Sequence, residues 1–95
     1  MTAYLYASLE VTDPATYGAY SREVSGLIAS YGGRFLVRGG TTLLLEGDGP
    51  PRRQIIVEFP DMAHLQAFYT SADYRRLIAI RQSGSRGTLL AIEGV

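Results

Sequence analysis

Apolar and polar positions alternate at strand spacing in some stretches of the chain and at helix spacing in others. Residues Ala3–Val11 are rich in Tyr, Leu and Val with partial alternation, which predicts a first strand. Asp13-Pro14 then provides a helix N-cap followed by proline at the first helical position. From Tyr17 onward apolar residues recur every three or four positions, and Gly32-Gly33 ends that pattern. A strand followed by one amphipathic helix is therefore predicted.

The central part of the chain is predicted to hold an interrupted strand, a loop and a further strand. Arg34–Arg38 alternates again, Gly39-Gly40 breaks or bulges the strand, and Thr41–Glu46 resumes an extended, leucine-rich pattern. Two glycines and two prolines make Gly47–Pro51 the most loop-like stretch of the sequence. Gln54–Phe59 is predicted as the next strand.

The last third of the chain is predicted to contain a broken helix and a final strand. Asp61 is an N-cap for this helix, and Ser71 offers a second cap within it, so we expect the helix to kink or restart near Ser71. Behind Ser71 the helical stripe continues with Tyr74, Leu77, Ile78 and Arg81. Ser83–Arg86 is predicted as a turn and Gly87–Glu93 as the last strand.

The predicted order βαββαβ indicates a single α+β domain over residues 1–95. This order is typical of a ferredoxin-like sandwich, in which a four-stranded antiparallel sheet carries both helices on one face. No linker or low-complexity tract divides the chain.

Strand alternation sorts the side chains of the sheet into two faces, because residues i and i+2 share a face. The face predicted to meet the helices is purely apolar and comprises Leu5, Ala7, Leu9, Phe35, Val37, Ile55, Val57, Phe59, Leu90 and Ile92. The other face is mixed and comprises Tyr4, Tyr6, Ser8, Glu10, Arg34, Leu36, Arg38, Gln54, Ile56, Glu58, Leu89, Ala91 and Glu93. Large apolar side chains are unusual on a solvent-facing sheet surface. We therefore expect this face to pack against the same face of a second copy, which closes a homodimeric α/β-barrel.

Composition narrows the range of partners and compartments. The 95 residues contain nine arginines, nine acidic residues and no cysteine, so disulfides and thiolate metal sites are excluded and the formal net charge is zero. A neutral chain argues against nucleic acid or an anionic membrane as the main partner. No apolar run approaches the ~20 residues of a membrane span, and the N-terminus does not resemble a signal peptide. We expect a soluble cytoplasmic protein.

A set of motifs spread along the chain resembles the bacterial family called domain of unknown function thirteen-thirty. The motifs are Gly32–Gly40, Glu46-Gly47, Pro51-Arg52-Arg53, Glu58-Phe59-Pro60, Tyr69-x-Ser71-x-x-Tyr74 and Glu93-Gly94. The resemblance implies a ferredoxin-like dimeric α/β-barrel of the kind shared with antibiotic-biosynthesis monooxygenases and muconolactone isomerases. It implies no established activity.

Arg38 and Glu58 are candidate ligand-binding residues on the mixed face. If the strand register runs through Gly39-Gly40 without slip, Arg38 approaches Glu58, and if the glycines bulge, Arg34 takes its place. A structural ion pair inside the dimer barrel is the favoured interpretation, because arginine suits buried bidentate pairing. A clamp for an anionic or carboxylated ligand is the alternative.

Three tyrosines complete the candidate ligand-binding set. Tyr6 could donate its phenolic hydrogen bond to a ligand in the barrel, although tyrosines in half-polar cores mostly satisfy one another or backbone carbonyls. Tyr69 and Tyr74 flank the expected helix break, where a kink would open a gap between helix and sheet. The resemblance to monooxygenases places substrate access near that gap, which is an analogy of fold only.

No catalytic, metal or cofactor site is predicted. His64 is the single histidine and the natural candidate for acid–base chemistry, but its helical position points away from the apolar stripe and we expect it to be exposed. One histidine with scattered carboxylates makes no metal site. Ser71 has no base placed to activate it, and no phosphate-binding glycine motif occurs.

Two functions from different classes are compatible with the sequence. The first is a homodimer that binds a small aromatic or carboxylated molecule between the sheet and the second helix, with cofactor-independent oxygenation or isomerisation as its enzymatic form. The second is a non-enzymatic dimer that acts as a ligand sensor, an accessory subunit or a structural subunit. A wet pocket lined by Tyr69, Tyr74 and Arg38 favours the first, whereas a layer packed without voids favours the second.

Overall fold

The computed structural model describes residues 1–49 and 52–95 and shows a four-stranded sheet with three helices. The elements in chain order are β1 (Ala3–Val11), α1 (Pro14–Ser30), β2 (Arg34–Arg38), β3 (Arg53–Phe59), α2 (Met62–Thr70), α3 (Ala72–Gly84) and β4 (Ser85–Glu93). The paired strands are antiparallel in the order β2-β3-β1-β4. The predicted ferredoxin-like α+β fold is confirmed. Pro50 and Pro51 of the predicted loop and motif lie outside the described residues.

The helices begin where capping side chains stand in the sequence. Asp13 and Asp61 accept backbone hydrogen bonds at the starts of α1 and α2. The Ser71 hydroxyl donates to the Phe68 carbonyl at 2.8 Å and accepts from the Tyr74 N–H at 3.1 Å. One serine therefore ends α2 and begins α3, which confirms the predicted restart.

The helices pack on one face of the sheet and share one core with it. The buried members are Ala3, Leu5, Ala7, Leu9, Tyr17, Tyr20, Val24, Ile28, Val57, Phe59, Leu65, Phe68, Tyr74 and Leu77. Phe68 lies at its centre, with ring centroids 5.5 Å from Phe59 and 4.4 Å from Tyr74. Full burial of each large apolar side chain contributes about 1.5–3 kcal/mol to folding. This layer also contains a small interior cavity.

The two faces of β4 are reversed relative to the prediction. Residues directly opposite one another in a sheet share a face. Leu89 lies opposite Ala7 on the helix-facing side, whereas Leu90 lies opposite Tyr6 on the other side. Leu90 and Ile92 are 48% and 47% exposed. Both alternating sets of β4 contain leucine or isoleucine, so the local pattern offers no contrast, and only pairing with β1 decides the orientation.

The irregularity in β2 lies at Leu36 and not at Gly39-Gly40 as predicted. Phe35 and Val37 pair with consecutive residues of β3, so Leu36 is the extra residue of a bulge. One extra residue shifts the alternation by one position. Val37 therefore faces away from the helices, and Arg38 faces them.

The predicted strand Thr41–Glu46 is absent from the described part of the chain. The Gly39 N–H donates to the Gln54 carbonyl at 2.8 Å, and its φ of 67° then turns the chain out of the sheet. Leu43 and Leu45 are 79% and 82% exposed. Strand-forming composition without a neighbouring strand to pair with does not make a strand.

The predicted turn Ser83–Arg86 is also wrong. Helix α3 runs to Gly84 and β4 begins at Ser85. The Gly84 carbonyl accepts hydrogen bonds from the N–H groups of Thr12 and Asp13 at 2.9 and 3.1 Å. The two residues that follow β1 therefore bond the last carbonyl of α3, and β4 begins directly after the helix.

Candidate functional site

A cavity of about 30 Å³ lies inside the layer between the helices and the sheet. Its wall is mainly apolar and contains Leu5, Ala7, Leu9, Val24, Ile28, Phe35, Ile55, Val57, Phe68 and Leu89. Its tyrosine and polar lining consists of Tyr17, Tyr20, Ser21, Arg38, Tyr74 and Arg81. One water needs about 10–15 Å³ of such space, so the cavity has room for about one or two waters. An organic ligand fits this interior only if its wall moves.

Three buried side chains form a hydrogen-bonded network beside this cavity. The Tyr74 hydroxyl lies 2.9 Å from the Tyr20 hydroxyl and accepts a hydrogen bond from Arg81 Nη1 at 2.7 Å. Tyr74 is fully buried, and Arg81 is 7% exposed. Burial raises the pKa of both phenols above their usual range, because it penalises the phenolate. Both tyrosines are therefore neutral at physiological pH.

Arg81 is the functional candidate that the sequence analysis did not select. Tyr74, Leu77 and Arg81 occupy the buried face of α3 at spacings of three and four. No carboxylate among residues 1–49 and 52–95 forms an ion pair with it. A charged residue within an otherwise apolar helical stripe was the available signal.

A groove of about 400 Å³ opens between α2 and β4. Its lining residues are Leu5, Leu65, Gln66, Tyr69, Thr70, Leu89, Leu90 and Ala91. The ring of half-buried Tyr69 lies 5.5 Å from the buried ring of Tyr74. Leu5 and Leu89 line both the groove and the interior cavity, so these two spaces share a wall. The groove therefore lies between α2 and the sheet, with Tyr69 in its wall and Tyr74 behind Tyr69.

Arg38 does not contact Glu58, and the predicted coupling of these two residues is wrong. The bulge in β2 turns Arg38 to the helix side of the sheet. There Arg38 Nη2 donates to the Ser21 carbonyl at 2.8 Å, to the Ser21 hydroxyl at 3.0 Å and to the Ser25 hydroxyl at 2.7 Å. Arg38 therefore fastens the edge of the sheet to α1 and reaches the interior cavity from that side.

Arg34 is the partner of Glu58, as the bulged alternative predicted, although the bulge lies elsewhere. Arg34 Nε lies 2.8 Å from Glu58 Oε1, and the two side chains are 72% and 27% exposed. An exposed pair of this kind contributes only about 0–1 kcal/mol in the single chain. The pair lies on the sheet surface that faces away from the helices, which we call the outer face.

Tyr6 also lies on the outer face. Its hydroxyl donates to Gln54 Oε1, and Gln54 Nε2 donates to the Ser8 hydroxyl at 3.0 Å. The five predicted ligand-binding residues are thus divided between two regions. Tyr6 and Glu58 lie on the outer face, whereas Arg38, Tyr69 and Tyr74 lie on the helix side.

His64 is exposed, as predicted, and lies in the first turn of α2. Its Nδ1 lies 2.7 Å from Asp61 Oδ1, at the start of α2. The hydrogen bond from the His64 side chain lowers the pKa of Asp61. Within the described ranges, no group of three or more His, Asp or Glu residues is placed to hold a metal ion.

None of the helices in the described ranges is both long enough and apolar enough to cross a membrane. Among curated proteins, none matches the sequence significantly. Residues 2–95 match the sequence profile of the family described as Domain of unknown function (DUF1330).

Solved structures share the fold at low sequence identity. A protein of unknown function from Rhodopseudomonas palustris is 19% identical with a TM-score of 0.81, over 99% of this chain and 82% of that one. SnoaB, a cofactor-independent oxygenase from Streptomyces nogalater, is 15% identical with a TM-score of 0.71, over 99% and 93% of the two chains. An antibiotic biosynthesis monooxygenase is 16% identical with a TM-score of 0.56, over 100% and 99%. At these identities the likeness concerns the fold alone.

Proposed function

Since this chain belongs to the DUF1330 family, which is described only as a domain of unknown function, we propose a function from the geometry of its own surface. The protein is a homodimeric α/β-barrel that binds a small aromatic or carboxylated molecule in the groove beside Tyr69. The observation that carries this proposal is the groove itself.

The dimensions and lining of the groove suit a small organic ligand. Its volume of about 400 Å³ lies within the range of about 300–1,000 Å³ that is typical of small-molecule sites. Leucine side chains form much of its wall, while Gln66, Tyr69 and Thr70 supply the polar groups at one side. Such a lining binds an apolar or aromatic body and orients it by a few hydrogen bonds.

Tyr69 and Tyr74 are the predicted ligand-binding residues that this proposal retains. In our proposal the Tyr69 ring contacts the ligand directly, and the Tyr74 ring supports it from behind. Arg75 lies with its guanidinium 5.8 Å from the Tyr69 ring centre, so a positive charge also stands near the groove. Tyr6, Arg38 and Glu58 do not line the groove.

The homodimer is proposed from the outer face. Leu36, Leu90 and Ile92 are each close to half exposed there. They accompany Tyr4, Tyr6 and Ile56 on one antiparallel surface. A second copy related by a two-fold axis would cover these side chains with identical ones. The Arg34–Glu58 pair would then lie inside the dimer.

The proposed reaction class, if the dimer is an enzyme, is cofactor-independent oxygenation, with isomerisation as the second choice. Oxygenation takes its support from the likeness of fold to SnoaB. In such a reaction dioxygen is the oxidant and the bound molecule supplies the electrons. No residue of this chain is assigned a catalytic role.

A non-enzymatic dimer is the second candidate function, and one observation favours it. The interior cavity has a volume of only about 30 Å³, which is too small for an organic ligand unless its wall moves. A ligand sensor or an accessory or structural subunit needs no more than the surface groove and the outer face.

A thermal-shift screen of small aromatic acids, alcohols and amides tests the proposal. A ligand that binds only the folded state raises the melting temperature in proportion to the logarithm of its concentration once binding is saturated. We expect Tyr69→Ala to abolish this shift. Tyr31→Ala is the matched control, because it truncates another half-buried tyrosine that does not line the groove. A shift that persists in Tyr69→Ala would contradict the groove as the binding site.

A further inference from the structure

A further pocket, separate from the interior cavity and from the groove beside Tyr69, lies beside Arg81 at the junction of α3 and β4. It has a volume of about 260 Å³. Its polar lining includes Arg81, Gln82, Ser85 and Arg86, and its apolar lining consists of Leu9 and Leu89. Arg81 also lines the interior cavity, so its side chain stands between the two spaces. The pocket shares only Leu89 with the groove beside Tyr69.

Arg81 is a buried cation that lacks a counter-ion. It is 7% exposed, and no described carboxylate pairs with it. Buried charges in proteins are normally paired, because the loss of hydration is otherwise uncompensated. The guanidinium has five N–H donors, of which the Tyr74 hydroxyl accepts one hydrogen bond. Among the described residues, the Arg81 guanidinium therefore has more N–H donors than side-chain acceptors, and its positive charge is not balanced by a carboxylate.

The groups around Arg81 hold it without neutralising it. The Tyr74 hydroxyl contacts the guanidinium and is itself bonded to Tyr20. Both phenols are neutral, since burial raises their pKa. The backbone carbonyl of Arg81 accepts a hydrogen bond from the Ser85 hydroxyl at 2.7 Å, which fixes the end of α3. The side chain is thus held in place before any ligand arrives.

The neighbouring arginine differs from Arg81 in its charge balance. Arg86 donates to both carboxylate oxygens of Glu10, at 3.0 and 3.3 Å. Its charge is therefore already compensated. One net positive charge, with two leucines beside it, is left for a ligand of this pocket.

We propose that this pocket binds a small monocarboxylate, with the carboxylate on Arg81 and the apolar part against Leu9 and Leu89. A planar guanidinium matches a carboxylate through two parallel hydrogen bonds. One buried positive charge balances one carboxylate and leaves a phosphate dianion uncompensated. This site is independent of the proposed ligand in the Tyr69 groove.

Isothermal titration calorimetry with benzoate tests the proposal at constant ionic strength, and benzyl alcohol is the neutral comparison. We expect benzoate to bind the wild-type protein at least about tenfold more tightly than benzyl alcohol. Arg81→Met should weaken benzoate binding by at least about tenfold. Arg76→Met is the matched control, because it removes the same charge from the same helix at an exposed position outside the pocket. Benzoate affinity should be unchanged in that control.

Several outcomes would overturn the site. Equal binding of benzoate and benzyl alcohol excludes recognition of the carboxylate, and equal binding of inorganic phosphate shows only a general anion effect. Benzoate affinity that is unchanged in Arg81→Met also excludes Arg81 as the group that binds the carboxylate. If Arg81→Met does not fold, Arg81→Lys keeps the charge but loses the planar pair of donors, and unchanged affinity in that variant contradicts the proposal.

The Tyr69→Ala variant separates this site from the groove. Benzoate binding that is kept in Tyr69→Ala and lost in Arg81→Met supports the Arg81 pocket whatever the fate of the groove. Binding that is lost in Tyr69→Ala and kept in Arg81→Met places the carboxylate in the groove and overturns the Arg81 pocket.

Discussion

The two sides of the sheet use the same residue types in opposite ways. On the helix side, Tyr74 and Arg81 are buried, bonded to each other and shielded from solvent. On the outer face, Tyr6 and Arg34 are bonded to polar partners but remain in contact with solvent. Leucine and isoleucine side chains accompany the outer pair, and within residues 1–49 and 52–95 Leu36, Leu90 and Ile92 remain close to half exposed. The helix side is therefore covered within one chain, whereas the outer face is the surface that we propose a second copy covers.

This difference decides where a lost hydrogen bond or an added charge is costly. A polar group that is buried by its own chain loses hydration during folding, so its partners determine the stability of the monomer. A polar group on the outer face loses hydration only when the proposed dimer forms. Variants on the two sides should consequently affect different equilibria.

The largest expected effect comes from a charge placed on the outer face. Ile56→Asp should dissociate the dimer, because an unpaired charge in the interface costs on the order of several kcal/mol. Sedimentation at micromolar concentration measures the oligomeric state. Ala63→Asp at the exposed start of α2 is the control and should remain dimeric. A dimeric Ile56→Asp variant would contradict the proposed use of this face.

The next largest effect is expected when one tyrosine hydroxyl is removed on the helix side of the sheet and, for comparison, one on the outer face. Tyr74→Phe removes the hydroxyl that joins Tyr20 to Arg81 and should lower the free energy of unfolding by about 1–3 kcal/mol, because two buried groups lose a partner. Tyr6→Phe removes a solvent-accessible bond to Gln54 and should cost about 0–1 kcal/mol at a concentration where the protein is monomeric. Urea unfolding measures both values. Equal losses would show that burial does not separate the two sides.

A smaller effect is expected for the ion pair of the outer face. A double-mutant cycle with Arg34→Met and Glu58→Gln should give a coupling energy of about 0–1 kcal/mol in the monomer. It should give a larger one in the proposed dimer, which would desolvate the pair. The matched cycle with Arg38→Met and Glu58→Gln should be additive, since Arg38 bonds to α1 instead. Strong coupling of Arg38 to Glu58 in urea unfolding would contradict the observed register.

The sequence predicted the fold wherever its local signals were decisive. The aspartate caps, the restart at Ser71 and the alternation of β1 each have one dominant local interpretation, and each is confirmed. The bulge at Leu36 could not be predicted, because two adjacent glycines nearby offer a stronger local signal for a bulge. The orientation of β4 depends on its pairing with β1. The sequence of β4 does not reveal it, because both alternating sets of its residues contain large apolar side chains.

The candidate site was predicted less well for a related reason. Tyr69 and Tyr74 follow from the helix break, which is local. The position of Arg38 depends on counting residues through the bulge, so one unpredicted residue moved it to the opposite face. Arg81 carries a signal in the helical stripe, but the absence of a carboxylate partner is a property of the folded chain.

The smallest effect is expected at His64, which belongs to neither side of the sheet. His64→Ala should change the free energy of unfolding by no more than about 0.5 kcal/mol at neutral pH, because the side chain is exposed. The property that should change measurably is the pKa of the Asp61 carboxyl. The His64 side chain lowers the pKa of that carboxyl from its ordinary value of 3.8. Removing it should therefore raise the pKa that NMR titration measures for Asp61.

The direction of the pH dependence follows from the lowered pKa of Asp61. A carboxyl group with a lower pKa in the folded protein than in the unfolded chain adds stability above the unfolded value and loses it as the pH falls through the folded value. The wild-type protein should thus lose this contribution on acidification, and His64→Ala should lose less of it. An unchanged pKa of Asp61 in the variant would contradict the contact. A large loss of stability at neutral pH would instead place His64 in a structural role that its exposure does not predict.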